Sequence, residues 1–350
     1  MEKYTFGKLR DGREAHLYRL TNPSGAQAEL SDFGAALVSL QIPDRSGKRT
    51  DVVLGYDRIE QYEDNFDMLG VTVGRNVNRI EKGRFCIDGR EYRLEINENG
   101  NNIHSSMSAG FHKVLWDAQS YSGDSVTFRY FSPDGENGFP GNLEVSLTYT
   151  LTDSSALILS YEYRSDARTL VNLTNHSYFN LAGVESGNIF DTVVWINADC
   201  FTPVREGTIP TGELRKVEGT PMDFTSPEAI GLRIGDDDEQ LRLVHGGYDH
   251  NFVLRGAGAG VRPAASAFSP RSGIGMKVYT DLPGLQFYTG NTTRDIIGKG
   301  GHLITRYSGF CMESHYYPNS INIPAFPQPV IQADAVNRTT TIYAFDTPGK

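Results

Sequence analysis

The stretch Leu147-Thr148-Tyr149-Thr150-Leu151-Thr152 alternates apolar and polar side chains, Asp153-Ser154-Ser155 interrupts it, and Leu157-Ile158-Leu159-Ser160-Tyr161-Glu162-Tyr163 resumes it. Period two sends one set of side chains to a core and the other to water, so the stretch reads as a β-hairpin with a short polar loop. Working outward, Phe85-Cys86-Ile87 and Tyr92-Arg93-Leu94 flank Asp88-Gly89, a dipeptide that supplies the positive φ of a tight hairpin turn. Further strands are expected over residues 28–42, 52–55, 126–131, 170–179, 193–198, 275–280, 285–289, 309–315 and 339–345. Helix is expected only over 58–65 and 226–231, the latter opened by Ser226 as cap with Pro227 at the first position. Many strands with few short helices predict an all-β sandwich or barrel rather than an α/β fold. With no internal repeat and no linker, residues 1–350 read as a single catalytic-sized domain, in which the runs 236–239 and 256–260 are surface loops.

The chain has 350 residues, enough to bury roughly three quarters of its unfolded surface. Asp and Glu outnumber Lys and Arg, 43 to 33, for a formal charge of −10, and no basic stripe appears, which argues against a nucleic-acid partner. Cys86, Cys200 and Cys311 are too few and too scattered for a disulfide framework or a thiolate metal site. Residues 1–10 hold no apolar core of signal-peptide length, and no window approaches the ~20 apolar residues of a membrane span. A cytoplasmic protein with no membrane partner is expected.

Familiar motifs fail. The 256–260 run lacks the third glycine of a dinucleotide loop, the 236–239 run lacks the alternating ligands of a calcium loop, and no nucleophile elbow, Walker loop or zinc-protease helix occurs. What remains is histidine and carboxylate chemistry on strands. His104 follows Asn101-Asn102-Ile103, His176 lies in Asn172-Leu173-Thr174-Asn175-His176-Ser177-Tyr178-Phe179-Asn180, and His315 closes Cys311-Met312-Glu313-Ser314-His315. On strands, Thr174, His176 and Tyr178 should share a face, as should Glu313 and His315. Taken singly, His176 also reads as a hydrogen-bonded structural histidine, His104 as a loop cap and Asp249 as a turn residue. Spacing cannot bring these distant segments together.

At these residues the sequence resembles the aldose 1-epimerase (galactose mutarotase) family. The resemblance runs in order through Gly74-Arg75-Asn76-Val77-Asn78-Arg79-Ile80, Asn102-Ile103-His104 with Gly110-Phe111-His112-Lys113-Val114-Leu115-Trp116, and Leu173-Thr174-Asn175-His176-Ser177-Tyr178-Phe179-Asn180-Leu181. It continues through Gly219-Thr220-Pro221-Met222-Asp223-Phe224, Gly247-Tyr248-Asp249-His250, Gln286-Phe287-Tyr288-Thr289-Gly290-Asn291 and Glu313 with Tyr317-Pro318. It implies a galactose-mutarotase-like β-sandwich and an isomerase that interconverts the α and β anomers of a free aldohexose such as glucose or galactose. By the same resemblance Glu313 is the general base and His176 the general acid. Asn78, Arg79, His104, Tyr178, Asp249 and Gln286 hold the sugar. No cofactor and no metal are implied, and the chain would act as a monomer or homodimer. The acid role requires His176 to carry a proton near neutral pH, and a nearby carboxylate such as Asp249 would favour that form.

The sequence departs from the family at Ser105-Ser106, where two glycines are usual, at His315, where Gln is usual, and at Asn319, where Asp commonly follows Pro318. The first suggests another loop path. A protonated His315 would lower the pKa of Glu313 and move the activity optimum to higher pH. Rival readings are a hexose-6-phosphate 1-epimerase, which needs a basic pocket, and a non-catalytic sugar-binding protein on the same fold. A glycoside hydrolase fits less well, because it needs paired carboxylates.

Overall fold

A computed structural model describes residues 2–347. The 147–163 hairpin forms as strands Leu143–Leu151 and Ala156–Ser165, with Leu147 opposite Tyr161 and Leu151 opposite Leu157. It lies within a nine-stranded antiparallel sheet. In spatial order the strands are Asp117–Tyr121, Ser125–Ser132, Leu143–Leu151, Ala156–Ser165, Asn337–Asp346, Gly275–Thr280, Arg262–Phe268, Val193–Ile196 and Glu228–Ala229. Its outer face carries polar pairs such as Thr127 with Thr148 and Arg338 with Glu162. Its inner face buries Val145, Leu147, Tyr149, Leu157, Leu159, Tyr343 and Phe345, each side chain stabilising the fold by about 1.5–3 kcal/mol.

That inner face packs on the back of a five-stranded sheet, ordered Arg215–Lys216, Ala198–Thr202, Asp249–Leu254, Gly284–Tyr288 and Cys311–His315. Phe252, Phe287 and Met312 point back into the shared core, and the Tyr343 hydroxyl donates to the Met312 carbonyl at 2.9 Å. The alternate residues Asp249, Gln286 and Glu313 therefore point forward. A second five-stranded sheet is built from Glu2–Lys8, Glu14–Thr21, Gln27–Ser31, Ala36–Pro43 and Arg49–Asp51.

Several elements differ from expectation. Residues 28–42 form two strands, because the chain turns at Ala35, whose φ is 42°. Residues 52–55 and 170–179 are extended but not continuous strands. Their backbone groups alternate between partners: Leu54 N–H donates to Tyr178 O, and Phe179 bridges both Val53 and Phe310. The 193–198 run splits into Val193–Ile196 and the start of Ala198–Thr202, which belong to different sheets. Residues 226–231 do not form the expected helix; only a 3-10 turn, Ile230–Leu232, begins at their end. Glu228–Ala229 instead pairs with Val193–Val194 at the edge of the nine-stranded sheet, since one helical turn cannot outweigh two ladder pairings. The 58–65 helix is present as Ile59–Glu63. The acidic 236–239 run ends in a cap: Asp238 accepts from the backbone of Gln240 and Leu241 and starts helix Glu239–Leu243.

Candidate active site

The forward face of the site sheet forms one wall of a cavity of about 950 Å³ counted to its open mouth, room for a monosaccharide and its water. Its register sets one row, Asn251 beside Gln286 beside Glu313, and a second, Asp249 beside Tyr288 beside Cys311. The 174–179 segment lies along strand Cys311–His315: the Thr174 hydroxyl donates to Ser314 O at 3.0 Å, and Phe179 pairs with Phe310. That placement brings His176 to Glu313. Arg79 and His104 come from a separate ladder, in which Arg79–Ile80 pairs with Asn102–Ile103 and His104 N–H donates to Asn78 O.

Asn78, Arg79, His104, His176, Tyr178, Asp249, Gln286 and Glu313 all line this cavity. His176 Nε2 lies 3.6 Å from Glu313 Oε1, with both side chains more than nine-tenths buried. The His176 ring stacks on Tyr178 at 5.1 Å between centroids, and the Tyr178 hydroxyl donates to Asp67 O at 2.9 Å. His104 Nδ1 accepts from Asn78 N–H at 3.2 Å, so its other nitrogen carries the proton in the neutral ring. Thr174 does not reach the cavity, because its hydroxyl is spent on Ser314. Gln286 Nε2 donates to Asp249 Oδ1 at 2.6 Å.

Burial governs protonation here. It lowers the His176 pKa to about 4 and raises Glu313 well above the usual carboxylate range, a shift that Asp249 reinforces. Both shifts point the same way: they favour a neutral imidazole on His176 and a protonated carboxyl on Glu313. Asp249 does not help to charge His176, contrary to expectation, since it faces Arg79 and Gln286 instead. Burial also lowers His104 far below its ordinary value and His315 to about 4. A neutral His315 removes the basis for a shifted pH optimum.

Other departures have local causes. His104 and Ser105 take positive φ, 54° and 67°, where glycine would be easier. The Ser105 hydroxyl compensates by accepting from Asn76 N–H at 2.8 Å and donating to Asn76 O at 3.1 Å. His104 thus still reaches the cavity. Asn319 anchors the Arg79 segment: its N–H donates to Arg79 O at 2.8 Å, and its Oδ1 accepts from Glu81 N–H at 3.0 Å. At Gly284, beside His315, any Cβ would collide with the Asn251 side chain.

Three neighbours were not singled out in the sequence. Tyr288 and Cys311 follow from the same-face rule, each two residues from Gln286 or Glu313. Glu98 had no such signal. It takes Nε and Nη2 of Arg79 at 2.7 Å each, while Nη1 stands 3.5 Å from Asp249. Burial disfavours the Arg79 charge, but Asp249 and Glu98 outweigh that and raise its pKa. Cys311, His176 and Glu313 offer sulfur, nitrogen and oxygen within 4.8 Å, a donor set that suits zinc. Cys311 Sγ, however, faces Nδ1 at 3.6 Å while Glu313 faces Nε2, and those lone pairs diverge, so no single ion meets all three without a side chain moving.

The profile of the aldose 1-epimerase family matches residues 16–344. The galactose mutarotase of Rattus norvegicus is 41% identical over 97% of this chain and 97% of its own length. The aldose 1-epimerase of Escherichia coli (strain K12) is 37% identical over 91% of each. Among solved structures, the aldose epimerase homologue from C. elegans superposes with a TM-score of 0.88 at 28% identity, covering 95% of this chain and 99% of that one. The galactose 1-epimerase from Lactobacillus acidophilus gives 0.85 at 27% identity, covering 99% of both.

Proposed function

The chain belongs to the aldose 1-epimerase family, and from that premise we propose that it interconverts the α and β anomers of a free aldohexose such as glucose or galactose. The observation that carries this reading is the His176–Glu313 contact of 3.6 Å facing an open cavity that has room for a monosaccharide. Glu313 is the general base and His176 the general acid. The carboxylate of Glu313 takes the C1 hydroxyl proton as the C1–O5 bond breaks, and His176 Nε2–H gives its proton to the ring oxygen. The C1–C2 bond of the open aldehyde rotates, and the ring closes with both transfers reversed. Each transfer contributes about 10²–10⁴-fold.

The proton count of the pair is one throughout. After ring opening the proton is on Glu313 and His176 is neutral, the form that burial of the pair favours. Binding of the pyranose requires the proton to cross to His176, helped by donors that solvate the Glu313 carboxylate. His104 Nε2–H, Arg79 Nη1, Asn78 and the Gln286 amide are placed to hold sugar hydroxyls, with Asp249 accepting and Tyr178 closing the wall. Neither acid nor base needs a group beyond these side chains.

A free sugar suits the cavity better than a sugar phosphate, because the Arg79 guanidinium, the one permanently charged cation lining it among the described residues, is already engaged by two carboxylates. We assign the activity to one catalytic domain over residues 1–350, with segments from Asn78 to Glu313 supplying the site. A cytoplasmic setting accords with the unpaired state of Cys86, Cys200 and Cys311, and the chain is expected to work as a monomer or homodimer. Among the described residues no helix is long and apolar enough to cross a membrane. Polarimetry on freshly dissolved α-D-glucose and α-D-galactose tests the reading. Accelerated mutarotation supports it, whereas sugar binding without acceleration favours a non-catalytic sugar-binding protein.

A further inference from the structure

Glu98 stands in the cavity wall with its side chain about a quarter exposed (26%), so its charge faces whatever enters. Both its oxygens are bound to Arg79, through Nε and Nη2. Two parallel bonds of this kind are how a guanidinium recognises a carboxylate or a phosphate. Glu98 therefore occupies, from within the chain, the fork that an anionic ligand would seek. The other acidic groups lining the cavity are Asp67, Asp249 and Glu313, while Arg294 does not line it and lies 3.7 Å over the centre of the Phe66 ring. Only Nη1 of Arg79 lies outside that fork, in a long 3.5 Å contact with Asp249, and one such nitrogen suits a neutral hydroxyl.

We propose that Glu98 is a specificity-determining residue that closes the cavity to anionic sugars, uronic acids and sugar phosphates, while holding Arg79 in position for a neutral one. In a partly buried site a freed guanidinium attracts an anion several times more strongly than in water. Removing the Glu98 charge should thus open the cavity to anions even as it weakens the hold on neutral sugars. The proposal rests on the reading of the site as a sugar cavity, yet binding can be measured apart from turnover.

The test is calorimetric binding of galactose, galacturonate and glucose 6-phosphate to the full chain, together with inhibition of mutarotation by the two anions. Glu98→Gln and Glu98→Ser remove the charge, and Glu98→Asp keeps it while shortening the fork. The neutral variants are expected to bind galacturonate at least about tenfold tighter than the unsubstituted chain does, and galactose more weakly. Glu98→Asp should lose galactose affinity without gaining any for the anions. Anion binding unchanged in both Glu98→Gln and Glu98→Ser, or gained equally in Glu98→Asp, would overturn the proposal. Two neutral variants guard against one failing to fold. Absence of accelerated mutarotation in the unsubstituted chain would sink the enzymatic reading while leaving this contrast in binding measurable.

Discussion

The nine-stranded sheet and the site sheet obey the same alternation and use it differently. In Leu143–Leu151 every second residue is buried and the rest reach toward water, whereas all five residues of Cys311–His315 are buried. One sheet has an outer face that solvent satisfies. The other has its second face enclosed, so Gln286, Glu313 and His315 must find partners within the protein or in a ligand. Buried polar atoms without a hydrogen bond include Gln286 Oε1, Glu313 Oε2 and His315 Nε2 on this sheet. An enclosed polar face destabilises a fold unless something uses it, and the proposed acid–base chemistry of His176 and Glu313 is such a use.

The contrast breaks most sharply at the acid–base pair. Glu313→Gln and His176→Asn are each expected to lower kcat by more than about a hundredfold while the thermal melt shows a folded protein. A near-normal polarimetric rate in either variant would remove that residue from the mechanism. On the other sheet the effects should invert: Leu147→Ala is expected to cost about 2–5 kcal/mol of stability in denaturant unfolding, with kcat unchanged in the molecules that remain folded.

Acid should separate the two sheets as well. Burial lowers the pKa of His176, His250 and His315 on or against the site sheet from an ordinary 6.5 to about 4, 3 and 4. The unfolded chain binds protons there before the native one does, so the contribution of these three histidines is full above about pH 6.5 and declines as pH falls toward 4, outnumbering the opposite drift from the raised Glu313 carboxyl. Melting temperatures that stay constant over that interval would contradict this. For activity, the pair keeps its single proton between about pH 4, where His176 takes a second, and the raised pKa of Glu313. The profile of kcat/KM should be level between those limits and fall on both sides.

The smallest effects are expected where solvent serves both partners. Arg338→Ala removes an exposed ion pair with Glu162 and should change stability by less than about 1 kcal/mol. His315→Gln should leave the alkaline limb of the pH profile unmoved, because the imidazole is neutral well above pH 4; a displaced alkaline limb would show that His315 carries charge there after all.

Legibility in the sequence follows the same division. The 147–163 hairpin and the Asp88-Gly89 turn are plain because alternation and turn chemistry are local properties. Residues 28–42, 52–55 and 170–179 were harder, since their backbone bonds go to distant segments that no window contains. Residues 226–231 misled because Ser226 and Pro227 carry a helix-start signal that two edge pairings override. Within the site, His176 and Glu313 stood out as polar residues in strand settings, and resemblance to a family joined them. Glu98 stayed silent, because its role exists only through a guanidinium nineteen positions away, across a turn.

The constant proton inventory of the His176–Glu313 contact has a kinetic corollary. A catalyst that begins and ends each half-cycle holding one hydrogen, whichever group carries it, has no need to borrow one from the medium. Its rate at fixed pH should then be indifferent to the concentration of general-acid buffers that speed the spontaneous reaction.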